Sequence, residues 1–399
     1  MKITFYSNFL NHHQLPLSRE FIKLGIDYTF VATEPIPKER INLGYEDMNK
    51  KYPFVLTTYD SVENCKKALE LCKTSDLIIL GSAPEIYIKE RLKENKITFR
   101  YSERLHKQGI LRLFDPILFF KIMRRNYKYK DKSFYLLTSS AYAATDYSKY
   151  GVFKNKMFKW GYFTEVKKYN IDFLIKNKRN NKKIKILWCG RLINWKHPEL
   201  AIKVANRLML DGYKFELNII GTGNKENRLE DMIKKYHLEN CVNLIGSVSS
   251  KDVRKYMEDT NIFLFTSTYY EGWGAVLNEA MNSGCAVVAS HAIGSVPFLI
   301  KHKENGMIYC NGNFNSLYSN VIYLMKNKKY REKLGKNAYK TMIETWNPEN
   351  AALRLIGLYQ NLIKKVVVDN NNNEPAAISK PIKQSKMYKY LMESDNLEQ

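Results

Sequence analysis

The chain has 399 residues, of which 45% are hydrophobic and 26% charged, a globular composition long enough for two domains and unlike that of a disordered protein. Its formal net charge of +24 favours anionic ligands or surfaces, such as nucleotides, nucleic acid or an anionic membrane, although many lysines also fit solvated helix faces. The sequence lacks an apolar run of about 18 residues and a signal-peptide core, so we expect a cytoplasmic protein.

Strand-like apolar runs alternate with amphipathic helical stretches from residue 2 to residue 139. This alternation is typical of a doubly wound domain with a parallel sheet. The predicted strands are 2–7, 27–33, 76–82, 96–102 and 133–139, and the predicted helices are 15–25, 61–75, 85–95 and 116–128.

The alternation lapses around 150–180, where a basic, aromatic stretch and the polar run 176–183 predict a linker. It then resumes, which predicts a second doubly wound domain. The strands expected there are 183–191, 214–223, 241–247, 261–268 and 285–290, and the helices are 197–212, 226–236, 250–258, 275–284, 314–326, 328–343 and 346–365. We place the domains at 1–165 and 166–345, followed by a helix over 346–367 and a low-complexity, largely disordered tail over 368–399.

The six cysteines form no CxxC pair, and several lie in apolar runs, which predicts buried thiols in a reducing compartment. His12 and His13 form the only histidine cluster in the sequence, and it lacks acidic or cysteine partners at metal spacing. We therefore predict no bound metal and no cofactor.

The segment EGWGAVLNE (271–279) contains two glycines that flank Trp273 just before a predicted helix. Glycines let a backbone approach a ligand closely, and a helix start favours a phosphate. Glu271 and Glu279 suit the hydroxyl groups of a sugar, which donate hydrogen bonds. Taken alone, the segment fits equally well a glycine turn before an amphipathic helix.

Three further loops follow predicted strands of the same domain. Arg191 and Lys196 lie in GRLINWKHPELA, where they suit a diphosphate, although they also fit a solvated loop of a basic protein. The glycines of IIGTGN (219–224) fit either a ligand site or a tight turn. NLIGSVS (243–249) is a similar segment, in which a predicted strand passes into a loop. Gly294-Ser295 is expected to present backbone N–H groups to a phosphate or sugar. The sequence has neither GxGxxG nor GxxxxGKS, which argues against a dehydrogenase and a P-loop enzyme.

Two loops of the first domain carry polar side chains at the predicted carboxyl ends of strands. They supply six candidates for the acceptor side, where a Glu or His is expected to act as general base, and ordinary loop polarity is the alternative. These candidates are Asn11, His12, His13, Glu103, Arg104 and His106.

Four motifs occur in one order along residues 180–345: GRL…K, GxG, Glu-x7-Glu and G-x-x-P…NG. In this order they resemble the retaining glycosyltransferases of family 4, the glycosyl transferases group 1. The resemblance implies the α/β GT-B fold, with two facing Rossmann-like, doubly wound domains, an interdomain cleft and a last helix that returns to the N-terminal domain. It also implies a metal-independent reaction. The first domain matches only in outline.

The resemblance assigns roles to residues of the second domain. Arg191 and Lys196 are expected to hold the donor diphosphate, and Glu279 the ribose. Glu271 is expected to bind hydroxyls of the donor sugar and to belong to the catalytic set. The remaining donor-binding positions are Gly221, Gly223, Ser247, Val248, Gly272, Trp273, Gly274 and Ala275, with Ser247 and Val248 against the base.

The sequence departs from the family pattern at three places. The loop after the first strand reads NFLNHHQ instead of carrying a glycine pair, and Phe298 stands where a glutamate is usual. Ser102 and Glu103 replace a frequent histidine. Glu103 is therefore our first catalytic candidate on the acceptor side, followed by His106 and His12.

We predict a retaining hexosyltransferase that moves a sugar from a nucleotide-diphosphate sugar, with UDP expected, to a glycan or lipid-linked hydroxyl in bacterial capsule or envelope polysaccharide synthesis. The basic, aromatic stretch 154–169 and the net charge predict peripheral binding to an anionic membrane, at the inner face of the plasma membrane. The alternatives are a GT-B sugar-nucleotide epimerase and a non-enzymatic nucleic-acid-binding or scaffold protein. Nucleic acid is disfavoured because zinc-finger spacing and RNP aromatics do not occur.

Overall fold

The chain divides into two compact units. A computed structural model describes residues 1–38, 41, 46–107, 114–180, 182–366 and 372–396. The first unit comprises Met1–Glu165 and Asn347–Ile382, and the second comprises Val166–Trp346 and Lys383–Gln399. Within the described ranges, no helix combines the length and the apolar character needed to cross a bilayer.

The first unit contains a seven-stranded parallel sheet with the order β3-β2-β1-β4-β5-β6-β7. Its strands are β1 (Lys2–Ser7), β2 (Asp27–Ala32), β3 (Val55–Thr57), β4 (Leu77–Leu80), β5 (Thr98–Ser102), β6 (Phe134–Thr138) and β7 (Met157–Lys159). The helices between them are α1 (Leu15–Lys23), α2 (Met48–Lys51), α3 (Val62–Thr74), α4 (Ile86–Lys93), α5 (Pro116–Asn126) and α6 (Ala143–Ser148). Central strands such as β4 are buried on both faces, which explains their continuous apolar sequence.

The second unit contains a six-stranded parallel sheet with the order β10-β9-β8-β11-β12-β13. Its strands are β8 (Ile184–Cys189), β9 (Phe215–Ile220), β10 (Val242–Gly246), β11 (Ile262–Phe265), β12 (Ala286–Ser290) and β13 (Met307–Tyr309). Its helices are α7 (Ile171–Arg179), α8 (Glu199–Leu210), α9 (Glu226–Lys235), α10 (Ser250–Asp259), α11 (Val276–Asn282), α12 (Val296–Leu299), α13 (Phe314–Lys326) and α14 (Lys328–Glu344). The strand order reverses at β8, and ligands of open α/β sheets bind at the carboxyl edge beside such a reversal.

The predicted linker around 150–180 contains the point at which the chain passes from the first unit to the second, and it also contains regular structure. It contains β7 and α7, and the rings of Phe158, Trp160 and Phe163 are buried. Lys178 is also buried, and its Nζ donates to the carbonyl oxygens of Met257 at 3.1 Å and Ser283 at 2.6 Å. These three aromatic rings of the stretch 154–169 are therefore not available to a membrane surface.

The residues after 345 are distributed over both units. Helix α15 (Pro348–Ile363) belongs to the first unit and packs against α1. The composition of 368–399 predicts disorder, yet Ala376 N donates to Lys159 O at 2.8 Å and Lys159 N donates to Ala377 O at 2.7 Å. This difference arises because β7 is an edge strand whose unpaired backbone groups accept a further segment. Helix α16 (Gln384–Asn396) belongs to the second unit, and 367–371 and 397–399 lie outside the described residues.

Candidate functional site

The loops after β8 and β9 pack backbone against backbone. Leu192 N donates to Thr222 O at 2.9 Å, and Gly190 N donates to Ile220 O at 3.0 Å. Gly221 has a φ of +130°, and a Cβ atom there would lie 1.9 Å from Gly190 O. The two glycines of GTG are therefore required by the contact between the loops, since a Cβ at Gly223 would lie 2.4 Å from Leu192 O.

Lys196 and Glu271 form an ion pair that joins two of the predicted motifs. Their side chains are 13% and 11% exposed, so the pair is largely shielded but still reaches the surface. Ser267 Oγ donates to Glu271 Oε2 at 3.1 Å, and Lys196 Nζ lies 4.8 Å from the centroid of the Trp195 ring. The structure thus brings together two residues that are 75 positions apart in the sequence.

The loop that carries Glu271 is fastened by backbone hydrogen bonds. Thr268 N donates to Trp195 O at 2.9 Å, and Gly294 N donates to Glu271 O at 3.2 Å. Ser295 Oγ donates to the carbonyl oxygen of Trp273 at 2.6 Å. The expectation that Gly294-Ser295 presents its N–H groups to a ligand is thus wrong for Gly294, because its N–H group holds the neighbouring loop.

Trp273 was expected to contribute to donor binding, but its ring is fully buried. Its Nε1 donates to Asn278 Oδ1 at 2.9 Å, and its ring centroid lies 5.9 Å from that of Trp346 and 6.3 Å from that of Phe298. The ring therefore anchors the loop from below. Gly272 and Gly274 are buried beside it, and Ala275 is half-buried at the start of α11.

Gly274 has a φ of +82°, and a Cβ atom there would lie 2.3 Å from Cζ of Phe265. Phe298, the residue that departs from the family pattern, packs on Trp346 with their ring centroids 5.7 Å apart. The aromatic core under the loop explains why an apolar residue suits position 298.

Arg191 and Glu279 supply further polar groups near the carboxyl end of β8. The Arg191 side chain is exposed, lies 5.8 Å from the Trp195 ring centroid and has no ion-pair partner within the described ranges. Burial raises the pKa of the Cys189 thiol at the end of β8 to about 12, and the charge of Glu279 adds to the shift. Glu279 therefore lies near the loop of Arg191.

Burial also raises the pKa of Glu279, an effect that the positive charge of Arg254 opposes. Residue Glu279 as a whole is half-buried. Such a carboxyl group is a suitable hydrogen-bond partner for a hydroxyl group.

Ser247 and Val248 follow β10 at the same edge of the sheet. Gly221 N donates to Gly246 O at 2.8 Å, so the turn at Gly221 lies directly beside this loop. Ser247 is exposed and Val248 half-buried, which leaves both accessible to a ligand.

A polar cluster around the buried residues Glu199 and Lys225, which the sequence did not reveal, connects the loops after β8 and β9. Lys225 Nζ lies 3.1 Å from Glu199 Oε2, and His197 Nδ1 lies 2.7 Å from Glu199 Oε1. Burial raises the pKa of Glu199, but hydrogen bonds from His197, the backbone and Lys225 outweigh it and hold the pKa at about 2. The cluster thus favours the ionised carboxylate.

We expect this cluster to make the second unit less stable in acid. The pKa of Glu199 is about 2 in the folded state against an ordinary 4.5. The stabilisation of the folded state by the ionised Glu199 carboxylate is therefore complete above about pH 5 and is lost as the pH falls toward 2. The contribution amounts to about 3 kcal/mol at neutral pH. Urea unfolding of the Glu199→Gln variant should show a lower free energy of unfolding at pH 7 and a shallower decline between pH 5 and pH 3 than wild type.

The exposed Glu230→Gln variant on α9 is the matched control, and it should unfold like wild type at both ends of this range. An equally steep acid decline for Glu199→Gln would contradict the assignment.

In the first unit, the loops after β1 and β5 meet at Tyr162. The Tyr162 hydroxyl donates to Glu103 Oε1, and its ring stacks on His13 with centroids 3.8 Å apart. Glu103 also forms an ion pair with Lys107, and His12 is exposed beside His13. The structure therefore groups three predicted acceptor-side residues and adds Tyr162, whose sequence position inside the predicted linker gave no hint of this contact.

The other acceptor-side candidates are buried in structural contacts. His106 is 1% exposed, its backbone N donates to Asp146 Oδ2 at 2.9 Å, and its Nε2 lies 3.2 Å from the Tyr150 hydroxyl. Arg104 Nε lies 3.3 Å from the same Asp146 oxygen. Asn11 is also buried, and its backbone N donates to Gln14 Oε1. These positions make His106, Arg104 and Asn11 unsuitable for direct contact with an acceptor.

In the described ranges, no three His, Cys, Asp or Glu residues are grouped so that they could hold a metal ion. All six cysteines are free thiols.

Two Rossmann-like units, with polar residues gathered at the carboxyl edge of the second sheet, define a protein of the GT-B class. Solved GT-B structures share this fold, among them that of HepE from Anabaena in complex with UDP, with a TM-score of 0.66 and 16% identity over 92% of this chain and 99% of the other. Residues 171–341 match the family model of the glycosyl transferases group 1.

Curated relatives match less than half of the chain. The amylovoran biosynthesis glycosyltransferase AmsK of Erwinia amylovora is 33% identical over 146 residues, 35% of this chain and 36% of its own. A poly(ribitol-phosphate) alpha-N-acetylglucosaminyltransferase of Staphylococcus aureus is 27% identical over 172 residues, 43% of this chain and 34% of its own. These matches span only about a third of the length of either relative.

Proposed function

We propose that the chain is a glycosyltransferase that moves a sugar from a nucleotide-diphosphate sugar to a hydroxyl group. The observation that carries this proposal is the shielded Lys196–Glu271 pair at the carboxyl edge of the second sheet, with the exposed guanidinium of Arg191 on the same loop as Lys196. Arginine binds phosphate oxygens in a bidentate manner, and lysine adds a point charge. A carboxylate accepts hydrogen bonds from sugar hydroxyls, so one site offers partners for both halves of the donor.

The proposed donor is a UDP-sugar, and the proposed reaction needs no cofactor. The structural neighbour HepE was solved with UDP, which supports the choice of nucleotide. Glu279 is proposed to bind ribose hydroxyls, and Ser247 and Val248 to lie against the base. Their common position at one sheet edge supports this division of roles.

We further propose a retaining, metal-independent hexosyl transfer. The bond between the anomeric carbon and the phosphate oxygen breaks, and a new bond to the acceptor oxygen forms on the same face of the sugar. The acceptor proton passes to the departing diphosphate, whose charge Arg191 and Lys196 stabilise. The family resemblance of the second unit supports retention, and the two cations supply the charge that a metal ion provides in other transferases.

The proposed acceptor is a glycan or lipid-linked hydroxyl of a bacterial capsule or envelope polysaccharide. The similarity to an amylovoran biosynthesis enzyme and to a poly(ribitol-phosphate) glycosyltransferase supports this class. Glu103, His12 and His13 of the first unit are the proposed acceptor-side residues, since all three remain accessible around Tyr162. We also propose a cytoplasmic enzyme that works at the inner face of the plasma membrane.

Replacing Arg191 with alanine should weaken UDP binding about 10- to 100-fold, because a charge-assisted hydrogen bond contributes about 1.5–3 kcal/mol. Arg191→Lys should recover part of this loss, since it keeps the charge but not the bidentate geometry. Isothermal calorimetry with UDP measures both effects. The UDP-sugar itself is found beforehand by thermal stabilisation of the wild-type protein.

The exposed Arg228→Ala variant on α9 serves as the control and should bind UDP like wild type. Unchanged UDP affinity and full transfer activity in Arg191→Ala would refute the diphosphate site. Conversion of the nucleotide sugar without any acceptor would identify an epimerase instead.

A further inference from the structure

Helix α5 carries large apolar side chains on its solvent-facing side. Phe114, just before the helix, is 82% exposed, and Ile117 and Phe120 are 79% and 70% exposed. Exposed single apolar residues are common, but three within seven positions make a local patch. We call Phe114, Ile117, Phe120, Lys121 and Arg124 the α5 surface.

The opposite side of α5 is held in the core of the first unit. Ile122 is buried in the hydrophobic cluster of that unit, and Leu118 packs against the cluster. The Phe119 ring centroid lies 6.0 Å from that of Tyr150. The helix begins with the Asp115 side chain accepting from Leu118 N at 3.1 Å, so the apolar side chains project from a fixed element.

Cations accompany the apolar residues on this helix. Lys121 follows Ile117 by four positions, and Arg124 follows Phe120 by four, so both lie on the same exposed face. The sequence from 116 to 130 contains five Lys or Arg residues and no Asp or Glu. An apolar face surrounded by positive charge is complementary to a surface that is apolar beneath a negative layer.

From this geometry we propose that the α5 surface docks the protein on an anionic lipid bilayer, with Phe114, Ile117 and Phe120 in the headgroup–acyl boundary and Lys121 and Arg124 against the lipid phosphates. A nucleic-acid partner would account for the positive charges on this surface, but it would not account for three large apolar side chains that are so exposed. The inference rests on the membrane location proposed above and not on sugar transfer. Membrane docking and sugar transfer can therefore be refuted independently of each other. The α5 surface is distinct from the basic, aromatic stretch 154–169, in which the rings of Phe158, Trp160 and Phe163 are buried.

The test is sedimentation of the full chain with vesicles of phosphatidylcholine alone or mixed with phosphatidylglycerol, at low and high salt. Wild type should bind the mixed vesicles and lose binding as salt rises. Lys121→Gln combined with Arg124→Gln should weaken binding about 25-fold, since each cation near such a surface contributes about five-fold. Ile117→Ser combined with Phe120→Ser should weaken binding roughly ten-fold or more, even at low salt.

Two control variants match these changes elsewhere on the chain. Lys329→Gln combined with Lys333→Gln removes the same charge from one face of α14, and Phe173→Ser removes a 62% exposed ring from α7. Both should bind like wild type. The proposal is overturned if the α5 and control variants bind vesicles equally, or if wild type prefers a single-stranded oligonucleotide to the vesicles. Transfer in detergent should stay unchanged in all variants, and its loss would point to misfolding, which thermal unfolding detects.

Discussion

Replacing Glu271 with glutamine is expected to lower kcat/KM for sugar transfer by about 10³-fold. The carboxylate is proposed to accept two hydrogen bonds from donor hydroxyls, each contributing about 1.5–3 kcal/mol when one partner is charged. The variant also deprives the shielded Lys196 ammonium of its counter-charge. Steady-state kinetics with a UDP-sugar and a hydroxyl acceptor measures the effect, and urea unfolding shows whether the fold is retained.

The exposed Glu304→Gln variant is the control and should keep wild-type kinetics. A Lys196→Gln variant should also be impaired, and the double variant should be much less impaired than the product of the two single losses, because the residues act as a pair. Independent, multiplicative losses would show that the ion pair has no part in the function. Wild-type activity in Glu271→Gln would remove the central residue of the proposed donor site.

Replacing Gly221 with alanine is expected to lower the free energy of unfolding of the second unit by about 2–5 kcal/mol. Backbone strain of about 1–2 kcal/mol is added to overpacking of about 1–3 kcal/mol. The new Cβ would lie 1.9 Å from Gly190 O, a backbone atom that cannot move without displacing the loop of Arg191. UDP affinity should fall with the stability, and urea unfolding together with calorimetry tests both results.

Gly212→Ala separates the two causes. Gly212 also has a positive φ, of +78°, but its Cβ would meet nothing within 4 Å. This control substitution should lower the free energy of unfolding by only about 1 kcal/mol and leave UDP binding intact. If both variants are equally mild, the close packing of the loops after β8 and β9 is not needed for the site.

The alternation of apolar and amphipathic segments predicted both sheets, because long buried strands such as β1 and β9 have a clear sequence pattern. It missed β3 and β7, which are three residues long and too short to show a period. It also interpreted the segment around Lys178 as a linker, because a lysine whose Nζ binds carbonyl oxygens cannot be told from a solvated one by sequence.

The sequence predicted the part of the candidate site that is formed by residues directly after the ends of strands. Lys196 and Glu271 follow neighbouring strands of one parallel sheet, so their meeting follows from the fold. The direction of single side chains was not predictable: Trp273 and His106 stand beside glycines or polar residues, yet both point into cores. The Glu199–Lys225 pair left no signal, because its partners are 26 residues apart, one at the start of α8 and the other in the loop after β9.

The way in which the chain is divided between the units has a consequence for synthesis. Each unit is assembled from two separate stretches, and the chain passes from one unit to the other at 165/166, 346/347 and 382/383. A nascent chain that has emerged only as far as residue 346 lacks α15 against α1 and the segment 376–379 against β7. The first unit therefore lacks part of its packing on the ribosome until residues 347–382 have been translated. A single cut of the chain cannot separate either unit from the other, because each consists of two stretches.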